Sequence, residues 1–229
     1  MIQRELLDTA HVPGGGEMRL FRHDRDYMIV LGGNELMSTR MNGSEIALAE
    51  QTCDRLGTHK RPRLLIGGYG MGFTLRAALA KLGADAELVV AELMPEIISW
   101  ARGPMADLAA GCLEDPRVSL YLGDVADEIS AAPHSYDAIL LDVDNGPDGL
   151  TREGNNGLYT ARGLRAAKAA LRVGGVLAIW SAAKDDAFAQ RLHKIGFAVD
   201  EVTVRARSNG KGAKHVIWFA TPILNQPAT

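Results

Sequence analysis

The sequence has little cysteine and shows no spacing typical of metal ligands. Only Cys53 and Cys112 occur, far apart and without a CxxC pair, and the six histidines are not grouped either. Structural zinc sites need closely spaced thiolate or imidazole ligands. We therefore expect free thiols, a reducing cytoplasmic location and no metal.

The chain also lacks a basic excess and long apolar runs. Lys and Arg number 25 against 28 Asp and Glu, a net charge of -3, which argues against a dedicated nucleic-acid binder. No apolar run approaches the roughly 18 residues of a membrane helix. The first ten residues carry charges and no long apolar segment, unlike a secretory signal. We expect no membrane or nucleic-acid partner.

What is present from residue 62 onward is an alternation of apolar runs and helical segments. Because the runs are continuous, they are typical of strands covered on both faces of a parallel sheet. The last two runs are joined by too few residues for a crossover helix, so they pair antiparallel. The prediction is an α/β fold with a seven-stranded, doubly wound, mostly parallel sheet whose last strand is antiparallel. The runs cover 63–68, 86–92, 118–124, 136–142, 174–182, 197–206 and 214–221.

The first part of the chain has a different pattern. Residues 18–39 form three extended runs separated by the hairpin turns "HDRD" and "GGNE". A helix follows from Asn42 or Ser44, and Gly57 ends it. The predicted domains are a small N-terminal β-hairpin element, 1–45, and a Rossmann-like domain, 46–229.

A glycine loop follows the first strand of the large sheet. Ligands of open parallel sheets bind beyond the carboxyl ends of the strands. There Gly67, Gly68, Gly70 and Gly72 lead into a helix, so the backbone can approach a nucleoside closely. A tight turn without a ligand explains the same glycines. Neither a GK[ST] loop nor an in-register GxGxxG occurs, which makes a nicotinamide dehydrogenase a distant alternative.

The other strand ends carry acids. Glu92 lies about 20 residues beyond the glycine turn, the spacing of an acid that binds ribose hydroxyls. After the next strand, Gly123 permits a turn, and Asp124 can accept from an adenine amino group or cap a helix. Asp142 and Asp144 follow the fourth strand. Acids around a nucleoside-sized pocket favour a nucleoside that carries positive charge.

Four segments carry a family resemblance. "LLIGGYGMG", "AELMPEII", "LYLGDVADEI" and "YDAILLDVDNGP" resemble the GGGDGG, VELDPEVI, GDA and YDVIIxDSSDP motifs of spermidine synthases. From about Tyr27 to Phe219 the chain resembles that aminopropyltransferase family within the class I S-adenosylmethionine-dependent fold. The resemblance implies a donor, S-adenosylmethionine or its decarboxylated form, held by Gly67, Gly68, Gly70, Gly72, Glu92, Leu93, Gly123, Asp124, Val125 and Asp142.

The acceptor side departs from the family. Gly70 stands where the glycine loop carries an acid, Met37 where a glutamine precedes the first helix, and "LAE" replaces a Tyr-His-Glu triplet, with only Glu50 kept. The resemblance implies that Asp142 and Asp144 are catalytic, with Asp142 activating the amine. Other acceptor-side candidates are Asn145, Tyr159 and Glu50.

The resulting hypothesis is a transferase that alkylates a small-molecule amine acceptor with an adenosyl sulfonium donor. A methyltransferase and a nucleoside-binding module without turnover stay open as alternatives. The resemblance implies a homodimer. The loop from Val143 to Tyr159 is expected to order over the ligand, Trp180 to pack in the core, and His215 to belong to a solvated basic hairpin tip.

Overall fold

The small N-terminal element is an antiparallel sheet of four strands, one more than the sequence indicated. The computed structural model describes residues 4–12, 16–143 and 156–223. Both expected turns join neighbouring strands, with positive φ at Asp24, Gly32 and Gly33. The additional strand is the first, and it precedes the stretch predicted as β. In chain order the strands are β1 (Glu5–His11), β2 (Glu17–His23), β3 (Asp26–Leu31) and β4 (Asn34–Ser38).

The large sheet confirms the predicted fold class. Its seven strands lie in the order β10-β11-β9-β8-β5-β6-β7, and β11 is antiparallel to both its neighbours. The remaining pairs from β7 to β9 are parallel. The strands are β5 (Arg63–Gly67), β6 (Glu87–Glu92), β7 (Val118–Leu122), β8 (Tyr136–Leu141), β9 (Leu171–Ser181), β10 (Phe197–Arg205) and β11 (Lys214–Pro222).

Helices cover both faces of this sheet. Asp124, Thr160 and Asp185 each cap a helix by accepting a hydrogen bond from a backbone N–H two or three residues on. None of the helices in the described ranges is long and apolar enough to cross a membrane. They are α1 (Gly43–Leu56), α2 (Phe73–Lys81), α3 (Pro95–Arg102), α4 (Ala106–Ala109), α5 (Val125–Ala131), α6 (Asn156–Tyr159), α7 (Ala161–Ala170) and α8 (Asp186–Ile195).

Two apolar clusters hold the layers together. One joins the N-terminal sheet, α1, α2 and α3 to one face of the large sheet, and the other joins α5, α7 and α8 to the opposite face. Trp100 and Trp218 are fully buried, one in each cluster. The Trp100 indole also donates to Asp8 on β1 at 2.7 Å, which fixes the N-terminal sheet to α3. The boundary between domains at residue 45 stays a prediction.

One predicted boundary was wrong. The helical pattern was expected to run to the glycines at 174 and 175, but α7 ends at Ala170 and β9 begins at Leu171. The reason is a bulge, because Tyr136 pairs with Leu171 whereas Ala138 pairs with Val176. The glycines lie inside this bulge, where Gly174 has φ +80°.

Gly43 offers a test of how α1 is seated against the C-terminal hairpin. Its N–H donates to the Ala206 carbonyl at 2.8 Å, and a Cβ there would lie 2.5 Å from the backbone of Arg207 and Ser208. We expect Gly43→Ala to lower the free energy of unfolding by about 1–3 kcal/mol, seen as a lower Tm. Gly16→Ala is the control, since its Cβ meets only Leu31 at 3.7 Å. Equal Tm values for both variants would contradict this.

Candidate functional site

A cavity of about 360 Å³ lies between the N-terminal sheet and the carboxyl edge of the large sheet. Its floor comes from the segments that follow β5, β6, β7 and β8, as the strand-end argument predicted. Apolar side chains of the N-terminal sheet cover it as a roof. The roof residues include Met18, Ile29, Leu31, Leu36 and Met37.

The glycine loop brings backbone to the cavity wall. Gly68 and Gly70 line the cavity, with φ of +88° and +55°. A Cβ on Gly68 would lie 2.5 Å from the Asp142 carbonyl oxygen, and one on Gly70 would lie 2.7 Å from Met37 Cε. Only glycine fits this close approach. Gly67 and Gly72 do not line the cavity but shape the loop behind it: a Cβ on Gly72 would lie 2.7 Å from the Tyr69 hydroxyl.

Glu92 ties the glycine loop to the end of β6. One carboxylate oxygen accepts from the Tyr69 N–H at 2.9 Å, and the other accepts from the Met94 N–H at 2.9 Å. The side chain is 7% exposed and lines the cavity together with Leu93. Burial raises the pKa of Glu92, although these backbone hydrogen bonds oppose the shift. The oxygen bound by Tyr69 also lies 3.5 Å from the Gly70 N–H, whereas the oxygen bound by Met94 can accept a further hydrogen bond from a ligand hydroxyl.

Three consecutive residues after β7 form the next part of the wall. Gly123, Asp124 and Val125 all line the cavity. Asp124 Oδ1 accepts from the Ala126 N–H at 2.8 Å and thereby caps α5. The cap that the sequence offered as an alternative is therefore present, and it holds the carboxylate at the cavity wall.

Asp142 stands at the end of β8, inside the cavity. Its Oδ2 accepts from the Thr74 hydroxyl at 2.7 Å. Burial raises the pKa of Asp142, and the Thr74 hydrogen bond opposes the shift. Asp144 and Asn145 lie outside the described residues, as does most of the expected loop over the ligand.

Glu45 is a cavity acid that the sequence reasoning missed. It lies in the first turn of α1, is 6% exposed and accepts from the Ser44 hydroxyl at 2.6 Å. Burial, and secondarily the charge of Asp142, raise the pKa of Glu45. An acid in a first helical turn normally complements the helix dipole, so the sequence carried no other signal for it.

Two side chains at the end of the large sheet also line the cavity. Trp180 is buried in the core, as expected, and its side chain borders the cavity as well. His215, expected at a solvated hairpin tip, lies at the start of β11, also lines the cavity, and packs edge-on against Trp180 at 4.8 Å between ring centroids. The antiparallel pairing of β11 with β9 brings both to the same cavity end. Burial lowers the pKa of His215.

Two candidates lie away from the cavity. Glu50 is exposed on α1 and borders a second, separate depression with Phe73. The Tyr159 hydroxyl donates to the Val143 carbonyl at 3.3 Å, and its ring packs edge-on against Phe188. Tyr159 therefore joins the end of β8 to α8, and it does not line the cavity.

The cavity is acidic. Among the described residues its lining contains no Lys or Arg, and the one other titratable group besides the acids is His215. A cavity lined by one sign of charge attracts ligands of the opposite sign. The lining acids are Glu35, Glu45, Glu92, Asp124 and Asp142.

Sequence comparisons find polyamine enzymes. Residues 53–224 match the family model described as the spermine/spermidine synthase domain. The chain is 36% identical over 124 residues to a polyamine aminopropyltransferase of Nitrosomonas europaea, covering 53% of this chain and 36% of that protein. It is 30% identical over 175 residues to putrescine N-methyltransferase 4 of Nicotiana tabacum, covering 73% of this chain and 40% of that protein. The chain thus spans less than half the length of these curated relatives.

Structure comparison gives the same fold. A spermidine synthase in complex with the transition-state analogue AdoDATO matches with a TM-score of 0.77 at 18% identity, covering 96% of this chain and 74% of that one. The Thermotoga maritima spermidine synthase matches with a TM-score of 0.74 at 17% identity, covering 96% of this chain and 73% of that one.

The raised pKa of Glu45 predicts a pH dependence of stability. The folded protein binds this proton more tightly than the unfolded chain, so the free energy of unfolding falls as pH rises from the ordinary carboxyl range through the raised pKa. Glu45→Gln removes that titration. Between about pH 5 and about pH 8, we expect the variant to gain roughly 1–3 kcal/mol relative to the parent.

Urea unfolding at several pH values measures this difference. Glu50→Gln is the matched control, because it removes an exposed acid from the same helix. Parallel pH profiles for the parent and Glu45→Gln would show that Glu45 titrates equally in the folded and unfolded states.

Proposed function

The chain belongs to the spermine/spermidine synthase family, and we propose that it transfers an aminopropyl group from an adenosyl sulfonium donor to a small amine. The observation that carries the proposal is the acidic cavity at the carboxyl edge of the sheet. There the glycine loop, Glu92, Asp124 and Asp142 surround one nucleoside-sized space.

The donor half of the cavity suits adenosine. Glu92 is placed to accept from the ribose hydroxyls, and its backbone hydrogen bonds hold the carboxylate in one position. Asp124 is placed to accept from the adenine amino group while it caps α5. Leu93 and Val125 supply apolar surface for the base. Gly68 and Gly70 let the loop backbone approach the nucleoside.

The charge of the lining favours the decarboxylated donor. S-adenosylmethionine carries a carboxylate, and the described cavity lining offers that group no Lys or Arg. The decarboxylated form carries only positive charges, which the acids of the lining attract. On this argument the aminopropyl donor binds more tightly than S-adenosylmethionine.

The chemistry requires a deprotonated amine in line with the sulfonium carbon. The amine nitrogen forms a bond to that carbon, the carbon–sulfur bond breaks, and its electron pair stays on a neutral thioether. One proton leaves the ammonium form of the acceptor. Asp142 accepts it, since its raised pKa makes it a stronger base than an exposed carboxylate. Asp144, Asn145 and the loop to Tyr159 remain predicted acceptor-side elements.

Methyl transfer is the second candidate, because the chain is similar to putrescine N-methyltransferase 4 over 175 residues. A nucleoside-binding protein without turnover is the third. Calorimetric titration with decarboxylated S-adenosylmethionine, S-adenosylmethionine and methylthioadenosine separates the donors, and mass analysis with a panel of amines identifies the transferred group. Tighter binding of S-adenosylmethionine with a methylated product would overturn aminopropyl transfer. The homodimer and the cytoplasmic location stay predictions.

Asp142→Asn tests the catalytic role. Asparagine keeps an oxygen that accepts from the Thr74 hydroxyl, but it cannot take the proton. We expect turnover to fall about a hundred- to ten-thousandfold while donor affinity measured by calorimetry changes little. Asp137→Asn is the control, because Asp137 lies in the same strand but pairs with Arg172 at 2.7 Å, away from the cavity. Unchanged turnover in Asp142→Asn would assign Asp142 a structural role.

A further inference from the structure

We propose that Glu45, Ser44 and His215 form a proton relay that carries away the proton released when the acceptor amine is alkylated. This inference rests on the proposed function, since it concerns the same cavity and the same reaction. It assigns a task to three side chains that the donor and Asp142 do not use.

The relay is a continuous chain of hydrogen bonds. The Ser44 hydroxyl lies 2.6 Å from Glu45 Oε2, and His215 Nδ1 lies 2.9 Å from the same hydroxyl. Ser44 is fully buried, Glu45 is nearly so, and His215 is partly exposed. The chain therefore leads from a buried carboxyl to a ring that reaches the protein surface or the cavity mouth.

The hydrogen bonds between Glu45, Ser44 and His215 can point in either direction along the relay. When Glu45 is protonated, it donates to Ser44, which donates to Nδ1 of a neutral His215 that carries its proton on Nε2. When Glu45 is ionised and His215 is an imidazolium, Nδ1–H donates to Ser44, and Ser44 donates to Glu45. Moving from the first arrangement to the second transfers one proton from Glu45 to His215 without moving a heavy atom, and the imidazolium then releases one proton to water.

Glu45 and Asp142 line the same cavity, and we treat them as the acid pair at the start of the relay. The Thr74 hydroxyl lies 2.7 Å from Asp142 Oδ2 and 3.4 Å from the main-chain carbonyl oxygen of Glu45, which places the two residues side by side. The charge of Asp142 acts on Glu45. An ammonium held by this pair can leave its proton on it, and the relay then clears the pair for the next turnover.

The proton balance requires such an exit. An ammonium acceptor and a sulfonium donor give an alkylated ammonium, a neutral thioether and one free proton. A buried pair that kept this proton could not accept the next one. Burial raises the pKa of Glu45 and lowers the pKa of His215, so the transfer to His215 is uphill, and the imidazolium that forms then releases its proton readily to water.

Among the described residues, the charged groups that line the cavity together with the relay are Glu35, Glu92, Asp124 and Asp142. α1 packs against α2, β8, β9, β10 and β11. From these elements Thr74, Asp142 and Trp180 face the relay end of the cavity. The ion pairs of α1, Lys81 with Asp54 and Arg55 with Asp200, involve the opposite end of the helix.

Multiple-turnover rates of relay variants test the proposal, because the relay clears the proton between turnovers, and donor affinity is measured to verify the fold. We expect Ser44→Ala to lower the rate about a hundredfold at unchanged donor affinity. Ser44→Thr, which keeps a hydroxyl, should restore most of it. Thr52→Val is the matched control, because it removes another fully buried hydroxyl of α1, one that donates to the Leu48 carbonyl.

Imidazole rescue distinguishes a relay from a structural role. His215→Ala should be slow, and added imidazole should restore its rate by accepting the proton at Ser44. Imidazole should not restore the Ser44→Ala/His215→Ala double variant, in which the hydroxyl is missing. Parent-like rates in both single variants across the pH range, or equal rescue of the double variant, would overturn the relay.

An infrared measurement decides the relay even when no amine yields product. The protonated carboxyl band that disappears in Glu45→Gln belongs to Glu45. The relay predicts that the Ser44→Ala substitution shifts this band and that the intensity of the band changes as His215 titrates. The relay is overturned if the Glu45 band responds neither to the substitution nor to the titration. It is also overturned if no Glu45 band is seen at any pH near neutrality. A sensitive band without alkyl transfer overturns only the proposed function.

Discussion

The site depends on burying carboxylates at the edge of a sheet where the described cavity lining offers them no Lys or Arg. Removing a charged group from water is costly unless hydrogen bonds replace the hydration. Each acid of the cavity floor meets this requirement differently. Glu92 accepts backbone N–H groups from two segments, Asp124 caps a helix, and Asp142 and Glu45 each accept from a neighbouring hydroxyl. The acids are thereby held in place and remain available to a cationic ligand.

This constraint also explains the local backbone. Because Glu92 draws the Tyr69 N–H toward β6, the glycine loop turns sharply and approaches the end of β8. A side chain at Gly68 would collide with the Asp142 carbonyl, and one at Gly70 would collide with Met37 of the roof. The glycines, the acids and the N-terminal sheet therefore form one arrangement in which each part limits the others.

The large sheet and the acids at its strand ends that line the cavity could be predicted because their signals are local. Continuous apolar runs mark buried parallel strands, and Glu92 and Asp124 lie at fixed positions after them. The part of the cavity next to α1 could not, because its contacts are distant in sequence: His215 and Ser44 are 171 residues apart. They meet because α1 packs against β9 and β11. Glu45 could not be predicted as a cavity residue, because its sequence position is that of an ordinary acid in a first helical turn. The strand β1 was missed because it lies before the stretch that the two hairpin turns delimit.

The charge balance of the proposed reaction explains why the acidity of the cavity alone does not provide the rate. In that reaction positive charge moves from the donor sulfur to the acceptor nitrogen, so the surrounding acids stabilise the reactants and the transition state to a similar extent. Only interactions that strengthen in the transition state accelerate a step. Proton acceptance and the in-line alignment of amine and sulfonium carbon satisfy that condition. Under the proposed function, the total acidity of the cavity therefore governs binding of cationic ligands, whereas Asp142 and the groups that receive its proton govern turnover.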